Sequence, residues 1–249
     1  PRRRAAQRAL ITDSAANPGG EDARFHGRRR GRKLRAGQER LLETYLPDIQ
    51  ITVPPDGTTI DPAAWFTPNA SEVWLEIGFG AGEHLAWQAT NNHDVGFVGA
   101  EPYLNGVARL LSAIESDRPG NIRVLADDVR PLLQAMADGA LARVFILFPD
   151  PWPKLRHHRR RLINTQLLDT LARLMRDGAE LRVATDDQDY LVWILRHLQG
   201  HPAFSWTASC ADDWRHRPAD WPDTRYEDKN RSGGPGSTFL RYLRIPRTG

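Results

Sequence analysis

The chain has 249 residues, with 34 Lys and Arg, 31 Asp and Glu, and a formal net charge of +3. Its only cysteine, Cys210, excludes an internal disulfide and a cysteine-based zinc site, and the apolar run 144–148 is far shorter than the roughly 18 residues of a membrane span. The composition therefore excludes membrane-spanning and disulfide-scaffold proteins. It predicts a globular protein of a reducing compartment, the cytoplasm, which needs no structural metal.

The charge is unevenly distributed along the chain. Residues 1–40 hold 12 Lys and Arg against 4 Asp and Glu, whereas the remainder holds 22 against 27. We therefore divide the chain into a basic, flexible arm, residues 1–40, and one domain, residues 41–249; such an arm predicts a polyanionic partner. A solvated tail without function is one alternative. A transit peptide is another, which Asp13, Glu21 and Asp22 and the low serine content disfavour.

Predicted strands and helices alternate from residue 73 onward. Short apolar runs predict strands at residues 73–77, 96–100, 122–126, 143–148 and 181–184. Helix-compatible stretches follow them at residues 83–90, 107–114, 132–137, 163–175 and 188–198. This alternation is typical of a parallel sheet that is covered by helices on both faces.

The C-terminal part departs from this alternation. Asp177-Gly178 predicts the end of the fourth helix. Residues 204–209 and 239–245 are strand-like and predict an antiparallel pair at the sheet edge. The predicted fold class is therefore α/β, a Rossmann-like, mostly parallel sheet with helices on both faces and an antiparallel C-terminal strand.

Each predicted parallel strand has an acidic residue at or just beyond its carboxyl end. These residues are Glu76, Glu101, Asp127 with Asp128, Asp150 and Asp186. One such acid is as often a helix N-cap as a ligand contact, but ligands of open α/β sheets bind beyond the carboxyl ends of the strands. The recurrence after all five strands therefore predicts a binding site at that edge.

The turn after the first strand indicates the class of cofactor. Its glycines are Gly78, Gly80 and Gly82. Glu83 occupies the place where a dinucleotide fingerprint needs its third glycine, and a carboxylate there repels a pyrophosphate. S-Adenosylmethionine has no phosphate and carries a positive sulfonium, so it suits the turn better. We expect the glycines to let the backbone approach this cofactor, Glu101 to accept from both ribose hydroxyls and Asp128 to bind the adenine amino group.

The segment after the fourth strand combines a restrained acid with a basic cluster. Asp150 stands between two prolines, which restrict the backbone and hold its carboxylate in place. Residues 154–161 contain no acid, and their five cations predict phosphate contacts by Lys154, Arg156, Arg159, Arg160 and Arg161. A solvent-facing helix start is the alternative. Trp152 is equally consistent with stacking on a base and with packing in the core.

These motifs resemble those of a known family, the bacterial tRNA (guanine-N7-)-methyltransferases, which act on position 46 in the variable loop. The resemblance runs from about residue 31 to residue 245, and residues 149–157 and 224–227 carry its most specific motifs. It implies a class I methyltransferase fold that uses S-adenosylmethionine and a tRNA substrate. Departures are small: Pro102 and Tyr103 follow Glu101, and Tyr226 and Arg159 replace the commoner Phe and Lys.

The resemblance also implies roles for individual residues. Cofactor contacts fall on Glu76, Glu101, Asp128 and Asp150. Substrate contacts fall on Lys154, Asp186, Thr224, Arg225, Tyr226 and Glu227. Asp150 is the residue to which the family's catalytic role carries over.

Chemistry at guanine N7 is consistent with an acidic site. N7 has an in-plane lone pair and no proton, so its methylation needs no general base. Transfer moves positive charge onto the purine, and carboxylates at its Watson–Crick edge stabilise that charge. We assign this role to Asp150, with Asp186 and Glu227 as candidates to share it.

Three other functions stay open at this point. The first is an oxidoreductase that uses a nicotinamide dinucleotide, which the misplaced third glycine disfavours. The second is an RNA-binding scaffold without catalysis. The third is a methyltransferase that acts on another RNA or on a small molecule. The sequence indicates neither a membrane partner nor an obligate protein partner.

Overall fold

The structure, a computed structural model, describes residues 26–55, 57–66, 68, 70–222 and 236–247. Its strands are β1 (Glu72–Ile77), β2 (Val95–Ala100), β3 (Ile122–Leu125), β4 (Leu141–Leu147), β5 (Met175–Thr185), β6 (Phe204–Trp206) and β7 (Thr238–Arg244). Its α-helices are α1 (Ala36–Thr44), α2 (Leu46–Ile49), α3 (Glu83–Asn91), α4 (Leu104–Ile114), α5 (Val129–Ala135), α6 (Thr165–Leu174), α7 (Gln188–Gln199) and α8 (Asp212–Arg215). Short 3₁₀ segments span Pro62–Trp65 and Leu155–Arg160.

The strands form one sheet in the order β3-β2-β1-β4-β5-β7-β6. Strands β1 to β5 pair in parallel, and β7 pairs antiparallel with both β5 and β6. The predicted α/β fold, with a mostly parallel sheet and an antiparallel C-terminal pair at its edge, is confirmed. The strand order reverses between β1 and β4, and open α/β sheets bind ligands in the crevice at such a reversal.

Helices cover both faces because successive strand residues point to opposite sides of the sheet. Val73 and Leu75 of β1 join one buried cluster with α5, α6 and α7. Trp74 joins a second cluster on the other face, with the buried side chains of α1 to α4. Glu76 lies two residues after Trp74, so its side chain points to the same face of the sheet, toward α3.

The N-terminal segment packs beside β3. Leu41 of α1 is buried, and the backbone N–H of Ile51 donates to the carbonyl of Val124 at 2.8 Å. This contact covers part of the open edge of the sheet. The predicted arm boundary at residue 40 falls inside α1, and residues 1–25 lie outside the described residues.

The predicted end of the fourth helix at about residue 175 is confirmed, but its assignment to Asp177-Gly178 is wrong. Helix α6 ends at Leu174, and Asp177-Gly178 lies within β5 instead of terminating the helix. Gly178 has a φ of +77°, and the pairing of β4 with β5 shifts register between Leu141 and Arg143. The glycine therefore belongs to an irregularity in the strand, where its freedom of backbone conformation is needed.

Several other predicted boundaries differ from the structure: β5 begins at Met175, six residues before its predicted start, and α4 begins at Leu104, three residues before its own. Helix α5 begins at Val129, three residues before the predicted start, because Asp128 caps it. Strand β6 ends at Trp206, three residues short of the prediction. In the described part of the chain, no helix combines the length and the apolar character needed to span a bilayer.

Candidate active site

The carboxyl ends of the parallel strands meet at one edge of the sheet. Ile77 of β1 pairs with Ala100 of β2 and with Ile146 of β4, and Leu147 pairs with Ala184 of β5. The turns that follow these strands are therefore neighbours. The crevice between β1 and β4 brings the glycine turn beside the segment that contains Asp150.

The glycine turn faces free space on one side and packs closely against α4 on the other. Gly78, Gly80 and Gly82 have φ values of +75°, +57° and +78°, a region that favours glycine. A Cβ atom on Gly78 would meet nothing within 4 Å, so the turn faces free space. Behind it, a Cβ on Gly106 of α4 would lie 2.2 Å from the carbonyl oxygen of Gly80. Our sequence reasoning missed Gly106, although a glycine in the first turn of a helix is a signal of close approach.

Glu101 is bound to the glycine turn itself. Its Oε2 accepts from the backbone N–H of Gly80 and its Oε1 from that of Tyr103, both at 2.8 Å. Burial raises the pKa of Glu101, the two N–H donors oppose this, and the charges of Asp150 and Glu76 raise it further. An ionised carboxylate has about four acceptor positions, so about two remain for a ligand.

Glu76 is a buried acid with a defined partner. It is 3% exposed, and its Oε2 lies 2.7 Å from Nδ1 of His84 in α3. His84 is equally buried, with its ring 4.6 Å from that of Phe145. The histidine therefore fixes the direction of the Glu76 carboxylate.

Asp128 is the N-cap of α5, a role that a single acid after a strand often has, and its two contacts with Arg130 leave about two acceptor positions for a ligand. Its Oδ1 accepts from the backbone N–H of Arg130 at 3.1 Å, which caps α5, and its Oδ2 binds the Arg130 side chain at 2.7 Å. Neighbouring Asp127 forms an ion pair with Arg29 at 2.8 Å. The carbonyl of Arg29 also accepts from the N–H of Leu104 at 3.0 Å. A residue of the predicted arm thus lies at this edge, a contact that no local pattern signals.

Asp150 is exposed and stands in a strained segment. Phe148 before it has a φ of +50° and Trp152 after it a φ of +46°. Among the described residues, the only other non-glycine with a positive φ is Arg118. Left-handed conformations of such residues cost of the order of 1–3 kcal/mol each and concentrate at functional sites. The segment therefore holds Asp150 at the crevice at an energetic cost to the fold.

The predicted phosphate contact of Arg161 is wrong. Its side chain is almost wholly buried, and its Nε donates to the carbonyl of Pro151 at 2.8 Å. The guanidinium forms an ion pair with Asp189 and lies 5.0 Å from the ring of Tyr190. Arg161 therefore supports the Asp150 segment from inside, where it has no access to an RNA backbone.

Three of the other four predicted cations are exposed, and the fourth is half-buried. Lys154, Arg156 and Arg159 are exposed, and the half-buried Arg160 places its guanidinium 5.0 Å from the Trp152 ring. Trp152 is itself half-buried, so it is not a core residue. Burial lowers the pKa of the nearby His157, and these four cations lower it further, which reflects a concentrated positive potential.

Of the remaining predicted substrate residues, the structure describes Asp186 but not the block 224–227. Asp186 is half-buried directly after β5, and it is not the cap of α7, because Asp187 accepts from the N–H of Tyr190 at 2.7 Å. Thr224, Arg225, Tyr226 and Glu227 lie outside the described residues.

The residues at this edge fit a cationic cofactor of the predicted kind. The charges of Glu76 and Asp150 act on Glu101, so the three acids share one negative potential. Free space lies in front of Gly78, and Glu101 keeps unused acceptor positions. A sulfonium is favoured by that potential, whereas a pyrophosphate is repelled.

Comparison with known proteins identifies the family. A family model described as "Putative methyltransferase" matches residues 70–239. The tRNA (guanine-N(7)-)-methyltransferase of Rhodospirillum rubrum is 50% identical over 229 residues, which cover 91% of this chain and 90% of that protein. This chain belongs to the tRNA (guanine-N(7)-)-methyltransferase family. The family member of Paramagnetospirillum magneticum is 48% identical, over 93% of this chain and 97% of its own.

The family resemblance predicted from the motifs is therefore confirmed. A solved structure, the 16S rRNA methyltransferase KamB, has a TM-score of 0.52 at 12% identity, covering 74% of this chain and 91% of KamB. At that identity the likeness concerns the fold alone. The region that matches the family model includes every strand from β1 to β6 and the beginning of β7.

Proposed function

We propose that this protein transfers a methyl group from S-adenosylmethionine to N7 of guanine in tRNA. The acceptor is position 46 of the variable loop, and the product is N7-methylguanosine. The observation that carries the proposal is an exposed carboxylate, Asp150, beside a basic cluster, residues 154–160, with three exposed cations, in a member of this family. Carboxylates stabilise charge on a methylated purine, and Lys and Arg bind RNA phosphates. The exposed thiol of Cys210 supports a reducing location such as the cytoplasm.

Different residues at the carboxyl ends of the strands contact different parts of the cofactor. The glycine turn approaches it with backbone, Glu101 accepts from the ribose hydroxyls, and Asp128 faces the adenine amino group. The negative potential of Glu76, Glu101 and Asp150 favours the sulfonium. When bound, S-adenosylmethionine supplies a methyl group that is activated for transfer to a nucleophilic nitrogen.

Asp150 carries the catalytic role in this proposal. Its carboxylate accepts from N1–H and N2–H of guanine, which orients N7 toward the methyl donor. As positive charge develops on the purine, these hydrogen bonds strengthen, so Asp150 binds the transition state more tightly than the neutral base. Orientation adds to this effect and contributes up to about 7–11 kcal/mol in well-aligned reactions. Asp186 and Glu227 are candidates to share the contact.

The direct test combines labelling with strand cleavage. Purified protein is incubated with methyl-labelled S-adenosylmethionine and an unmodified tRNA transcript, which is then treated with borohydride and aniline. A single cut in the variable loop is expected, because this treatment breaks the chain at N7-methylguanosine. Label transfer without a cut would reject the N7 assignment. Binding of cofactor and tRNA without transfer would favour an RNA-binding scaffold.

Cofactor affinity is expected to depend on the ionisation of Glu101. Burial raises the pKa of this carboxyl, so it takes up a proton at higher pH than an ordinary glutamate. The protonated form loses acceptor capacity and negative charge. Affinity for S-adenosylhomocysteine is therefore complete above the raised pKa and falls as the pH decreases through it. Calorimetric titrations across this range measure the effect.

The control for this prediction is Glu101→Gln. Its amide does not titrate, so its affinity at neutral pH is lower but stays nearly constant as the pH falls. Parallel pH profiles for the wild type and Glu101→Gln would assign the dependence to another group.

The cations of residues 154–160 are expected to determine the salt dependence of tRNA binding. Replacing Arg160 with alanine removes one phosphate contact and flattens the slope of log K against log salt by about 0.7–0.9. Filter binding at several salt concentrations measures the slope. Arg196→Ala, which removes an exposed cation from the last turn of α7 at the opposite end of the sheet, is the matched control. An unchanged slope in Arg160→Ala would remove this residue from the contact surface.

A further inference from the structure

The buried Arg161 links the Asp150 segment to the start of α7. Its Nε donates to the main-chain carbonyl of Pro151, the residue directly after Asp150, at 2.8 Å. Its guanidinium forms an ion pair with Asp189 in the first turn of α7. Because its side chain is only 1% exposed, Arg161 acts on this edge through its contacts within the protein.

Helix α7 fixes the place of Arg161. The guanidinium lies 5.0 Å from the ring of Tyr190 and 5.0 Å from that of Trp193, both on this helix. The same two residues hold the main chain at Ile163, two residues further on. The Tyr190 hydroxyl accepts from its N–H at 3.2 Å, and the Trp193 indole donates to its carbonyl at 2.7 Å. The hydrogen bond from Arg161 lowers the pKa of Asp189, so the ion pair is charged at neutral pH.

The start of α7 adjoins a second acid of the candidate site. Asp186 directly follows β5 and lies one residue before the cap of α7. Before Asp150, the N–H of Phe148 donates to the carbonyl of Ala184, near the end of β5, at 2.8 Å. After Asp150, Arg161 joins the main chain to the first turn of α7. These two links stand on either side of Asp150 and fix its place relative to Asp186.

The backbone around Asp150 requires such a restraint. Phe148 and Trp152 both have left-handed conformations, which persist only where surrounding contacts impose them. The carbonyl that Arg161 binds lies between Asp150 and Trp152, so the donor acts within the strained segment itself. Without this donor the carbonyl loses its partner, and the segment is free to relax.

We propose that Arg161 is a positioning residue for methyl transfer, which holds the Asp150 carboxylate in place relative to Asp186 so that both acids meet one guanine base. The inference rests on the proposed function and gives Arg161 a part in the chemical step, although it touches no substrate. Its neighbour Arg160 is assigned to a phosphate contact. Two adjacent arginines of one basic run thus serve different steps, one the binding of tRNA and the other its methylation.

Removing the Arg161 guanidinium is expected to slow methyl transfer without weakening tRNA binding. Arg161→Met keeps an unbranched apolar side chain in the buried site and removes both contacts. We expect the single-turnover rate to fall by about 10- to 100-fold, since a displacement of about 1 Å at a reacting group costs up to about 10²-fold. The tRNA dissociation constant is expected to stay within about twofold, with an unchanged slope of log K against log salt, because a buried cation displaces no counterions.

The experiment combines single-turnover methyl transfer by the full chain with filter binding at several salt concentrations. The matched control is Arg244→Met. Arg244 is 8% exposed, and its Nε donates to the main-chain carbonyl of Ala172 at 2.8 Å, at the opposite end of the sheet. It is therefore a buried arginine with the same kind of contact away from the candidate site. Urea unfolding of both variants measures their stability and shows whether each is folded at the assay temperature.

Asp189→Ala gives an independent test of the same link. The Asp189 side chain is 66% exposed, so its replacement leaves the core intact while it releases Arg161 from α7. The rate is expected to fall by about threefold or more, and the double variant with Arg161→Met is expected to be no slower than Arg161→Met alone, because the two side chains act as one unit. If Arg161→Met does not fold, Asp189→Ala alone decides the matter.

Each outcome has a defined meaning. A slower rate in Arg161→Met with unchanged tRNA affinity and salt slope, absent from Arg244→Met, supports the proposal. A flatter salt slope would show a phosphate contact and overturn it. An unchanged rate in Arg161→Met or in Asp189→Ala, or an equal loss in Arg244→Met, overturns it as well, while the wild type still methylates tRNA and the proposed function stands. A wild type that transfers no methyl group to tRNA overturns both, so the two failures are distinguishable.

Discussion

Replacing Asp150 with alanine is expected to lower kcat by about 10²- to 10³-fold, the usual loss when one preorganised group at a site of developing charge is removed. The tRNA dissociation constant is expected to change by only about threefold, because phosphate contacts on the cations of residues 154–160 dominate affinity. This separation follows from the geometry. Asp150 is exposed at the crevice, whereas Lys154, Arg156 and Arg159 extend from the neighbouring 3₁₀ segment.

Single-turnover methyl transfer under saturating enzyme measures the chemical step, and filter binding measures the affinity for tRNA. Asp150→Asn provides a graded variant, because its amide keeps one acceptor but loses the charge. Asp117→Ala is the matched control, since this exposed aspartate follows the C-terminal end of α4, at the other end of the sheet. Equal losses of rate and affinity in Asp150→Ala would contradict the assignment.

Replacing Gly106 with alanine is expected to weaken cofactor binding by about tenfold or more and to destabilise the fold by about 1–3 kcal/mol. The added methyl group would lie 2.2 Å from the carbonyl oxygen of Gly80 and 3.2 Å from the side chain of Glu101. The obstacle is backbone, which cannot rotate away as a side chain can. Either α4 or the glycine turn must therefore move, and both line the cofactor site.

Gly37→Ala in α1 is the control for this substitution. Its added methyl group meets nothing within 4 Å, so its only expected effect is a gain in stability of up to about 1 kcal/mol from reduced freedom of the unfolded chain. Calorimetry with S-adenosylhomocysteine and urea unfolding measure both quantities. A Gly106→Ala protein that binds the cofactor as tightly as Gly37→Ala would show that the turn tolerates displacement.

The sequence predicts this edge well because the relevant patterns are local. Apolar runs of four to six residues mark strands, and in a parallel sheet their carboxyl ends must meet, so Glu101, Asp150 and Asp186 could be placed at one edge before any coordinates. The local sequence around an acid after a strand does not show whether that acid caps the next helix or contacts a ligand. The structure answers this question for Asp128, which caps α5.

Other features depend on contacts between distant parts of the chain. Arg161 is the last of five cations in a basic run, and nothing in that run distinguishes a buried arginine from an exposed one. The distinction comes from Asp189 and Tyr190, which follow α6 and β5 in the chain. The contact between Gln88 and Asp220 joins residues 132 positions apart. The left-handed backbone at Phe148 and Trp152 contradicts their residue types, as expected where function opposes local preference.

The position of β7 in the sheet has a consequence for biosynthesis. Strands β1 to β5 find all their parallel partners among themselves, so they can pair as the chain emerges from the ribosome. Among the strands that the structure describes, β6 pairs only with β7, which is the last of them to be synthesised. Until β7 arrives, β6 has no strand partner and one long edge of β5 stays unpaired, a template for association with other chains. We therefore expect nascent chains halted before Thr238 to associate more readily than chains in which β7 has paired.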